Sequence, residues 1–277
     1  MATKKAATTT KKTTAKKSAV VKTTKTTVST APGAAASSSL SDHIQSSLRS
    51  LPLWRALGAE LVGTFLFAGV VIAGQGQPIF VLFGLAGIVL LFGAISGAHV
   101  NPAITIGALA TRRIGWLRAV GYVIAQLLGA ALAYIVLSGF ISGASAVSAS
   151  AQAYGQNAPA LYAAADISKL VGKEWFVFFS ELTGAAILAL AYANVTRSRD
   201  VLTRSLTAGF GIFIALMIAV SAASYVTGTA ILNPAVAISL HAYSWATIWP
   251  FAIYAIAPVI GAIVGFVIYD LLKVEKA

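Results

Sequence analysis

The sequence predicts an all-α membrane protein with six transmembrane helices and two re-entrant half-helices arranged as an inverted repeat. Hydrophobic residues make up 58% of the 277 residues and charged residues only 10%, whereas soluble domains carry roughly 25% charged residues. Several apolar runs approach the roughly 20 residues that a helix needs to cross a bilayer. The tripeptide Asn-Pro-Ala occurs twice, and each copy follows a long apolar run. These three observations together define the fold class.

The apolar runs place the spans and divide the chain. The six spans are predicted at Leu53–Gly74, Ile79–Ser96, Trp116–Gly139, Glu174–Asn194, Leu206–Ala223 and Thr247–Leu272. Two helix-compatible stretches, Asn101–Ala110 and Asn233–Tyr243, are too short to cross and suit half-helices. The predicted organisation is a disordered Lys/Thr/Ala-rich tail at 1–50, a first half at 51–140, an extracellular connecting loop at 141–173 and a second half at 174–277.

Each Asn-Pro-Ala has the composition of a helix start. Asn is a favoured N-cap, and Pro is favoured at the first helical position, where its missing N–H costs nothing. The motifs Asn101-Pro102-Ala103 and Asn233-Pro234-Ala235 are each followed, 28 residues after the Asn, by a glycine, Gly129 and Gly261. Each half holds three spans, an odd number, so the second half is predicted to insert upside down and the two half-helix N-termini to meet near the midplane.

The meeting point predicts a pore with a positive potential. Helix N-termini leave backbone N–H groups unpartnered, and such backbone within a bilayer must face protein or a watery cavity. Asn101 and Asn233 would offer amide N–H donors to a passing water, and the two helix dipoles would repel hydronium and metal cations. The alternative is that both Asn residues are helix caps and nothing more.

Three further polar residues are candidates for the pore. Glu60 and Glu181 lie inside spans at equivalent places in the two halves. Intramembrane carboxylates are functional by default. They are interpreted as acceptors for the irregular chain before each half-helix, with proton or cation coupling as the alternative. His99 either lines the vestibule or hydrogen-bonds within its loop.

The basic residues predict the orientation. Residues 1–41 hold eight Lys and no acidic residue, a composition that predicts disorder. Eighteen of the 20 Lys and Arg fall on the side of the two termini, so the positive-inside rule predicts a multi-pass protein of the cell membrane with cytoplasmic termini. The tail is interpreted as a solvated segment that helps to set topology, with anionic lipid or nucleic acid as alternative partners.

From about residue 50 to 272 the sequence resembles the aquaporin, or major intrinsic protein, family. The residues that carry the resemblance are Ser96–Ala103, Ala59–Thr64, Ala125–Gly129 and the second Asn-Pro-Ala. The resemblance implies the aquaporin-like bundle, a pore in every subunit and a homotetramer in contact with membrane lipid. It implies no cofactor and no enzymatic activity, and the chain also has no cysteine for thiol or disulfide chemistry.

One departure from the family pattern concerns the selectivity filter. Most members place Arg directly after the second motif, where this sequence has Val236. The resemblance implies that the other constriction positions are Val81, Ser221 (alternatively Ala222) and Ala230. A filter without Arg is expected to be wider and more apolar than a strict water filter. Some plant vacuolar aquaporins carry Val at the same position and pass water, urea, ammonia and hydrogen peroxide.

The expected function is a passive channel for water and small neutral solutes, with glycerol admitted by a wide filter. A dedicated glycerol-type facilitator is an alternative, disfavoured because Ala237 stands where glycerol-type members have Asp. A coupled secondary transporter also uses inverted repeats but needs titratable groups at its site. A tethering protein that acts through its Lys-rich tail is a further alternative. The loop at 141–173 either folds over the pore mouth or is a plain linker.

Overall fold

The computed structural model describes residues 40–142 and 160–273, which belong to one compact unit. Within these two ranges every regular element is helical, as predicted. The helices are α1 (Leu40–Leu48), α2 (Leu51–Ala73), α3 (Pro78–Phe92), α4 (Pro102–Ala110), α5 (Trp116–Ser142), α6 (Glu174–Val195), α7 (Val201–Ser224), α8 (Pro234–Ser239) and α9 (Trp249–Leu272). A short 3-10 turn, Ile167–Lys169, precedes α6, and α9 contains a π-helical segment at Ala252–Ile256.

Five of these helices, α2, α5, α6, α7 and α9, are long and apolar enough to cross a membrane. The remaining predicted span, α3, has 15 residues, a length of about 22 Å at the rise of an α-helix. The chain continues α3 in helical turns, because Ser96 N–H donates to the Phe92 carbonyl at 3.0 Å and Gly97 N–H to the Gly93 carbonyl at 3.2 Å. The all-α membrane bundle predicted from the sequence is confirmed, with α3 shorter than expected.

The two halves of the chain repeat the same helix packing. Helix α2 packs against α5 in the first half, and α6 packs against α9 in the second. At the first crossing a Cβ on Gly129 would overlap the Leu61 carbonyl oxygen, and at the second a Cβ on Gly261 would overlap the Leu182 carbonyl oxygen. Both crossings therefore bring backbone against backbone, which only glycine allows. This packing holds α4 and α8 between the spans.

Two further boundaries, those of the tail and of α7, differ from the predictions. Residues 40–48 of the predicted disordered tail form α1, and its last residue is anchored because Trp54 Nε1–H donates to the Leu48 carbonyl at 2.6 Å. Residues 1–39 of the tail lie outside the described residues. Helix α7 starts earlier than the predicted Leu206, because Asp200 is an N-cap that accepts Thr203 N–H at 2.6 Å. Hydrogen bonds from Thr203 also lower the pKa of Asp200, so this cap is charged at neutral pH.

The second half-helix is also shorter than predicted, with α8 ending at Ser239 rather than Tyr243. The chain turns away there because His241 adopts a left-handed conformation with φ of 54°, a conformation that ends a helix. The first half-helix, α4, has the predicted extent after its Asn101 cap.

The connecting segment 160–173 lies against the second half-helix. Ala164 N–H donates to the Leu240 carbonyl and Ala165 N–H to the Thr229 hydroxyl, both at 2.9 Å. Ile167 and Leu170 of the same segment are buried. This segment therefore folds onto the bundle beside the chain that leads to Asn233, and the side of the molecule that carries it is called the loop face. Residues 143–159 of the predicted loop lie outside the described residues.

Candidate functional site

Both Asn-Pro-Ala motifs cap half-helices. The Asn101 side-chain oxygen accepts Ala103 N–H at 2.8 Å, and the Asn233 side-chain oxygen accepts Ala235 N–H at 3.0 Å. Both Asn residues have extended backbone, and Pro follows each at the first helical position. The sequence signal and the local structure agree because the cap and the proline favour the same helix start.

The two half-helices meet at their N-termini, and each Asn bonds to the opposite half of the chain. Asn101 Nδ2–H donates to the Leu232 carbonyl at 2.8 Å, and Asn233 Nδ2–H donates to the Val100 carbonyl at 2.8 Å. The residues are 4% and 2% exposed. An amide nitrogen carries two N–H donors, so each Asn uses one donor to tie the halves together and has a second for another acceptor.

The residues that receive these bonds have strained backbone. Val100 and Leu232 have φ of 43° and 61°, in the left-handed region, which is costly for residues with a bulky side chain. The strain turns the carbonyl of each residue toward the opposite Asn while its N–H points into its own half.

Glu60 and Glu181 receive the N–H groups on that side. Glu60 accepts His99 N–H at 2.9 Å and Val100 N–H at 2.7 Å. Glu181 accepts Ile231 N–H and Leu232 N–H, the latter at 2.8 Å. Both carboxylates are fully buried, and buried backbone donors need such partners. Each Glu thus accepts the backbone N–H groups of the two residues that precede its Asn-Pro-Ala. This is the arrangement expected if the two acids act as acceptors for the irregular chain before each half-helix.

A side-chain network surrounds the first of these carboxylates. Gln126 Nε2–H donates to Glu60 at 2.7 Å and to the Thr105 hydroxyl at 2.9 Å. His99 Nδ1 lies 3.2 Å from the same hydroxyl. The equivalent positions in the second half are Pro258 and Ala237, which have no polar side chain. The meeting point of the half-helices is therefore a repeat in its backbone and asymmetric in its side chains.

Tyrosine hydroxyls hold the loops before the half-helices, and the sequence interpretation missed them. Tyr122 donates to the Ser96 carbonyl at 2.7 Å, Tyr192 to the Ala98 carbonyl at 2.7 Å and Tyr254 to the Thr229 carbonyl at 3.1 Å. Tyr122 and Tyr254 are equivalent in the ungapped register that pairs Gly129 with Gly261. That register was the signal that could have identified them.

A narrow cavity lies beside Asn101. Its volume is about 10 Å³, near the roughly 10–15 Å³ in which a single water fits. Four helices and one loop form its walls: Phe67, Leu85, His99, Val100, Asn101, Leu188, Tyr192 and Ile212. The His99 ring lies nearly perpendicular to the rings of Tyr122 and Tyr192, at centroid distances of 5.5 and 6.3 Å. His99 therefore both lines the cavity and bonds within the first half.

Three of the four predicted filter residues are buried in one apolar cluster. Val81 lies in the first turn of α3, Ala230 lies three residues before Asn233, and Val236 lies in the first turn of α8 at 1% exposure. Val236 N–H also approaches the Asn233 side-chain oxygen at 3.3 Å. Among the residues that the structure describes, no three His, Asp or Glu lie together as a metal site would require.

The expectation that Ser221 faces the pore is wrong. Ser221 continues an exposed stripe of α7 formed by Phe210, Ile214 and Met217, at spacings of four, three and four residues. Its hydroxyl donates to the Met217 carbonyl of the same helix at 2.6 Å. The alternative, Ala222, lines a surface groove with Trp175 and Phe179. The loop before Asn233, Thr227–Leu232, is one residue longer than the usual family pattern, and this shifts the residues of α7 relative to that pattern.

Comparisons with known proteins agree with this geometry. The family model described as major intrinsic protein matches residues 47–269. The glycerol uptake facilitator protein-like 6 of Lactiplantibacillus plantarum is 35% identical over 219 residues, covering 75% of this chain and 93% of the relative. Aquaporin NIP3-1 of Oryza sativa subsp. japonica is 31% identical over 245 residues, covering 80% and 70%. Aquaporin Z of Photorhabdus laumondii is 29% identical over 250 residues, covering 80% and 99%.

A solved structure shares the fold. The X-ray structure of the aquaglyceroporin from Plasmodium falciparum superposes with a TM-score of 0.56 at 22% sequence identity. The match covers 79% of this chain and 96% of that one.

Proposed function

This chain belongs to the major intrinsic protein family of passive membrane channels, and we propose that its pore conducts water together with small uncharged solutes such as urea, ammonia and hydrogen peroxide. It is not an enzyme. The observation that carries the proposal is the reciprocal bonding of Asn101 and Asn233 across the meeting point of α4 and α8. This bonding supports the proposal because it brings two amide donors and two helix N-termini together at a point that would lie on the transport path.

Water would pass this point in single file. The cavity beside Asn101 has a volume near that of a single water site, and most of its lining side chains are apolar. A water there finds donors in the remaining N–H groups of the two Asn side chains and few acceptors. It is therefore oriented with its oxygen toward the Asn residues, and this orientation breaks the hydrogen-bonded chain that protons need.

Ions would be excluded at the same place. The N-terminus of a helix carries a partial positive charge, roughly half an elementary charge for a full-length helix. The N-termini of α4 and α8 face each other across the path, so their potentials add. Hydronium and metal cations meet a positive barrier, and anions meet an apolar passage that cannot replace their hydration shell.

The solute range would follow from the residue after the second motif. Val236, with Val81 and Ala230, provides apolar side chains where Arg would supply charge and donors. Without the Arg side chain the constriction would be wider. A small uncharged solute would also keep more of its hydration water, because no guanidinium charge competes for that water. The three relatives named above include two aquaporins and a glycerol uptake facilitator-like protein.

The surrounding assembly is part of the proposal. The long apolar side chains exposed on α2, α3, α6 and α7 would face lipid and neighbouring subunits of a homotetramer. The protein would lie in the cell membrane with both termini in the cytoplasm, because the basic residues concentrate on the side of the termini. The Lys-rich tail would contact anionic lipid headgroups.

Stopped-flow measurements on proteoliposomes test the function. In assays of water, urea, hydrogen peroxide and glycerol permeability, vesicles that contain the protein should swell or shrink faster than empty vesicles. A pH gradient across these vesicles should decay no faster than one across empty vesicles. Glycerol flux above water flux would favour the glycerol-type facilitator. Saturable uptake that follows an ion gradient would favour a coupled transporter. Permeability equal to that of empty vesicles for every solute would exclude the channel.

A further inference from the structure

We propose that this protein binds one acyl chain of a membrane lipid in a crevice directly behind the two Asn-Pro-Ala motifs. The crevice shares no lining residue with the narrow cavity beside Asn101 and has a volume of about 550 Å³. Sites for small ligands have volumes of roughly 300–1,000 Å³. The inference requires that the protein lies in a bilayer, and it does not depend on which solute the pore conducts.

The crevice runs between α5 and α9, with the half-helices as its floor. Val123 and Leu127 form the α5 wall, and Ala255 and Val259 form the α9 wall. The floor consists of Pro102 and Pro234, the first residues of α4 and α8, together with Ile106 and Ile238 one turn further along each half-helix. The innermost part of the crevice is entirely apolar and lies at the depth where the two half-helices meet.

The far end of the crevice has a different chemistry. His241, Tyr243 and Trp245 line it at the loop face, and Trp245 is 90% exposed. Tyr and Trp are enriched where a membrane meets water, because their rings are apolar and their N–H or O–H groups are polar. The crevice therefore runs from a polar and aromatic rim at the membrane surface to an apolar end near the midplane. A lipid has the same gradient, from its headgroup to the end of its acyl chain.

The helix that forms one wall is distorted along this stretch. Residues Ala252–Ile256 of α9 form a π-helical segment, and such segments are rare and occur frequently at functional sites. Phe251 precedes the segment and Ala255 lies within it, and both line the crevice. The small side chain of Ala255 leaves the space open at this point. The distorted backbone and the small residue thus lie together at this wall of the crevice.

An occupant of the crevice would contact the pore through the prolines. Pro102 and Pro234 follow the two pore Asn residues directly, and the Pro234 carbonyl also accepts the Tyr243 hydroxyl at 3.1 Å. An acyl chain packed against these rings supports α4 and α8 from behind. We therefore expect the permeability of the channel to depend on whether the crevice is filled.

Photolabelling in proteoliposomes tests the site. A phosphatidylcholine with a diazirine near the end of its acyl chain is added at a few per cent of total lipid, and labelled peptides are mapped by mass spectrometry. Labels should concentrate on the α5 and α9 wall residues and should be displaced by excess unlabelled lipid. Ala255→Phe, which fills the crevice, should reduce this labelling at least fivefold. Ile256→Phe, at the neighbouring exposed position, is the matched control and should leave it unchanged.

Val123→Phe fills the crevice from the opposite wall and covers the case in which Ala255→Phe fails to fold. Labels spread evenly over all exposed helix faces, and insensitive to both filling variants, would overturn the proposal in favour of ordinary annular lipid. A crevice that stays unlabelled while cysteine crosslinks join Val123→Cys in one subunit to the same residue in another would also overturn it, because a second copy of the chain would then occupy it.

Discussion

Gln126 donates an N–H to the Glu60 carboxylate at 2.7 Å, while the equivalent position in the second half is Pro258. In the described residues Glu60 therefore accepts two backbone donors and one side-chain donor, and Glu181 accepts two backbone donors. Both carboxylates hold a strained residue whose carbonyl receives the opposite Asn. The buried acids thus act on the pore indirectly, through the backbone of Val100 and Leu232.

We expect Glu60→Gln and Glu181→Gln each to destabilise the protein. The amide that replaces a carboxylate has only one acceptor oxygen, so its NH₂ group faces a backbone N–H and one buried donor loses its partner. An unsatisfied buried donor costs roughly 1–3 kcal/mol. Denaturant unfolding in detergent measures the loss. Glu174→Gln, in the first turn of α6, is the control, and equal stability of all three variants would contradict the role assigned to the buried acids.

The reciprocal Asn bonds should be energetically coupled. Asn101→Ala and Asn233→Ala each remove a helix cap and one bond between the halves, and each cap is worth about 0.5–2 kcal/mol. Both bonds join the same two loops, so the double variant should lose less stability than the sum of the single variants. Coupling between contacting residues is roughly 0.5–3 kcal/mol.

A double-mutant cycle on unfolding free energies measures this coupling. The control cycle combines Asn101→Ala with Asn194→Ala, which removes only an exposed bond to Tyr269 and should add independently. Strict additivity of the two pore variants would mean that the halves are held together elsewhere.

Gly261→Ala tests the backbone crossing of α6 and α9. The added methyl group would overlap the Leu182 carbonyl oxygen, and overpacking of this kind costs roughly 1–3 kcal/mol. Gly139→Ala in α5 is the control, because a methyl group there meets nothing within 4 Å and alanine favours the helix. The melting temperature should fall for the first variant and hold or rise for the second. The reverse order would show that α9 does not lie against α6 in the membrane.

The structural features that follow from the repeat could be predicted from the sequence, whereas those that depend on loop conformation could not. Helix caps, apolar runs and the spacing from Asn101 to Gly129 are local or periodic signals, so the helices and the meeting of their N-termini were predictable. The left-handed backbone of Val100 and Leu232 was not, because neither residue favours it and it is held by long-range hydrogen bonds to the buried acids and the opposite Asn. Ser221 was misplaced because a one-residue change in a loop shifts a helix position by 100° in register.

The α1 helix was missed for a different reason. A composition poor in large apolar residues predicts disorder over the whole tail, yet Leu40–Leu48 is helical next to the first span. The hydrogen bond from Trp54 to the Leu48 carbonyl is a contact between two elements, and no pattern within residues 40–48 predicts it.

Val236→Arg tests the proposed selectivity. The Arg side chain would enter the passage from the first turn of α8, narrow it and add a positive charge with five N–H donors. Water can bond to those donors and still pass, whereas urea and hydrogen peroxide are larger and must also displace water from the charge. We expect solute permeability to fall about tenfold relative to water permeability, a barrier increase of about 1.4 kcal/mol.

Val236→Met separates size from charge in this experiment. Methionine lengthens the side chain without adding a donor, so it should reduce solute permeability less than arginine does. Stopped-flow light scattering on vesicles with matched protein content gives all the permeabilities from one preparation. If arginine lowers water and solute permeability by the same factor, Val236 does not lie at the constriction, because a residue at the narrowest point must discriminate by size.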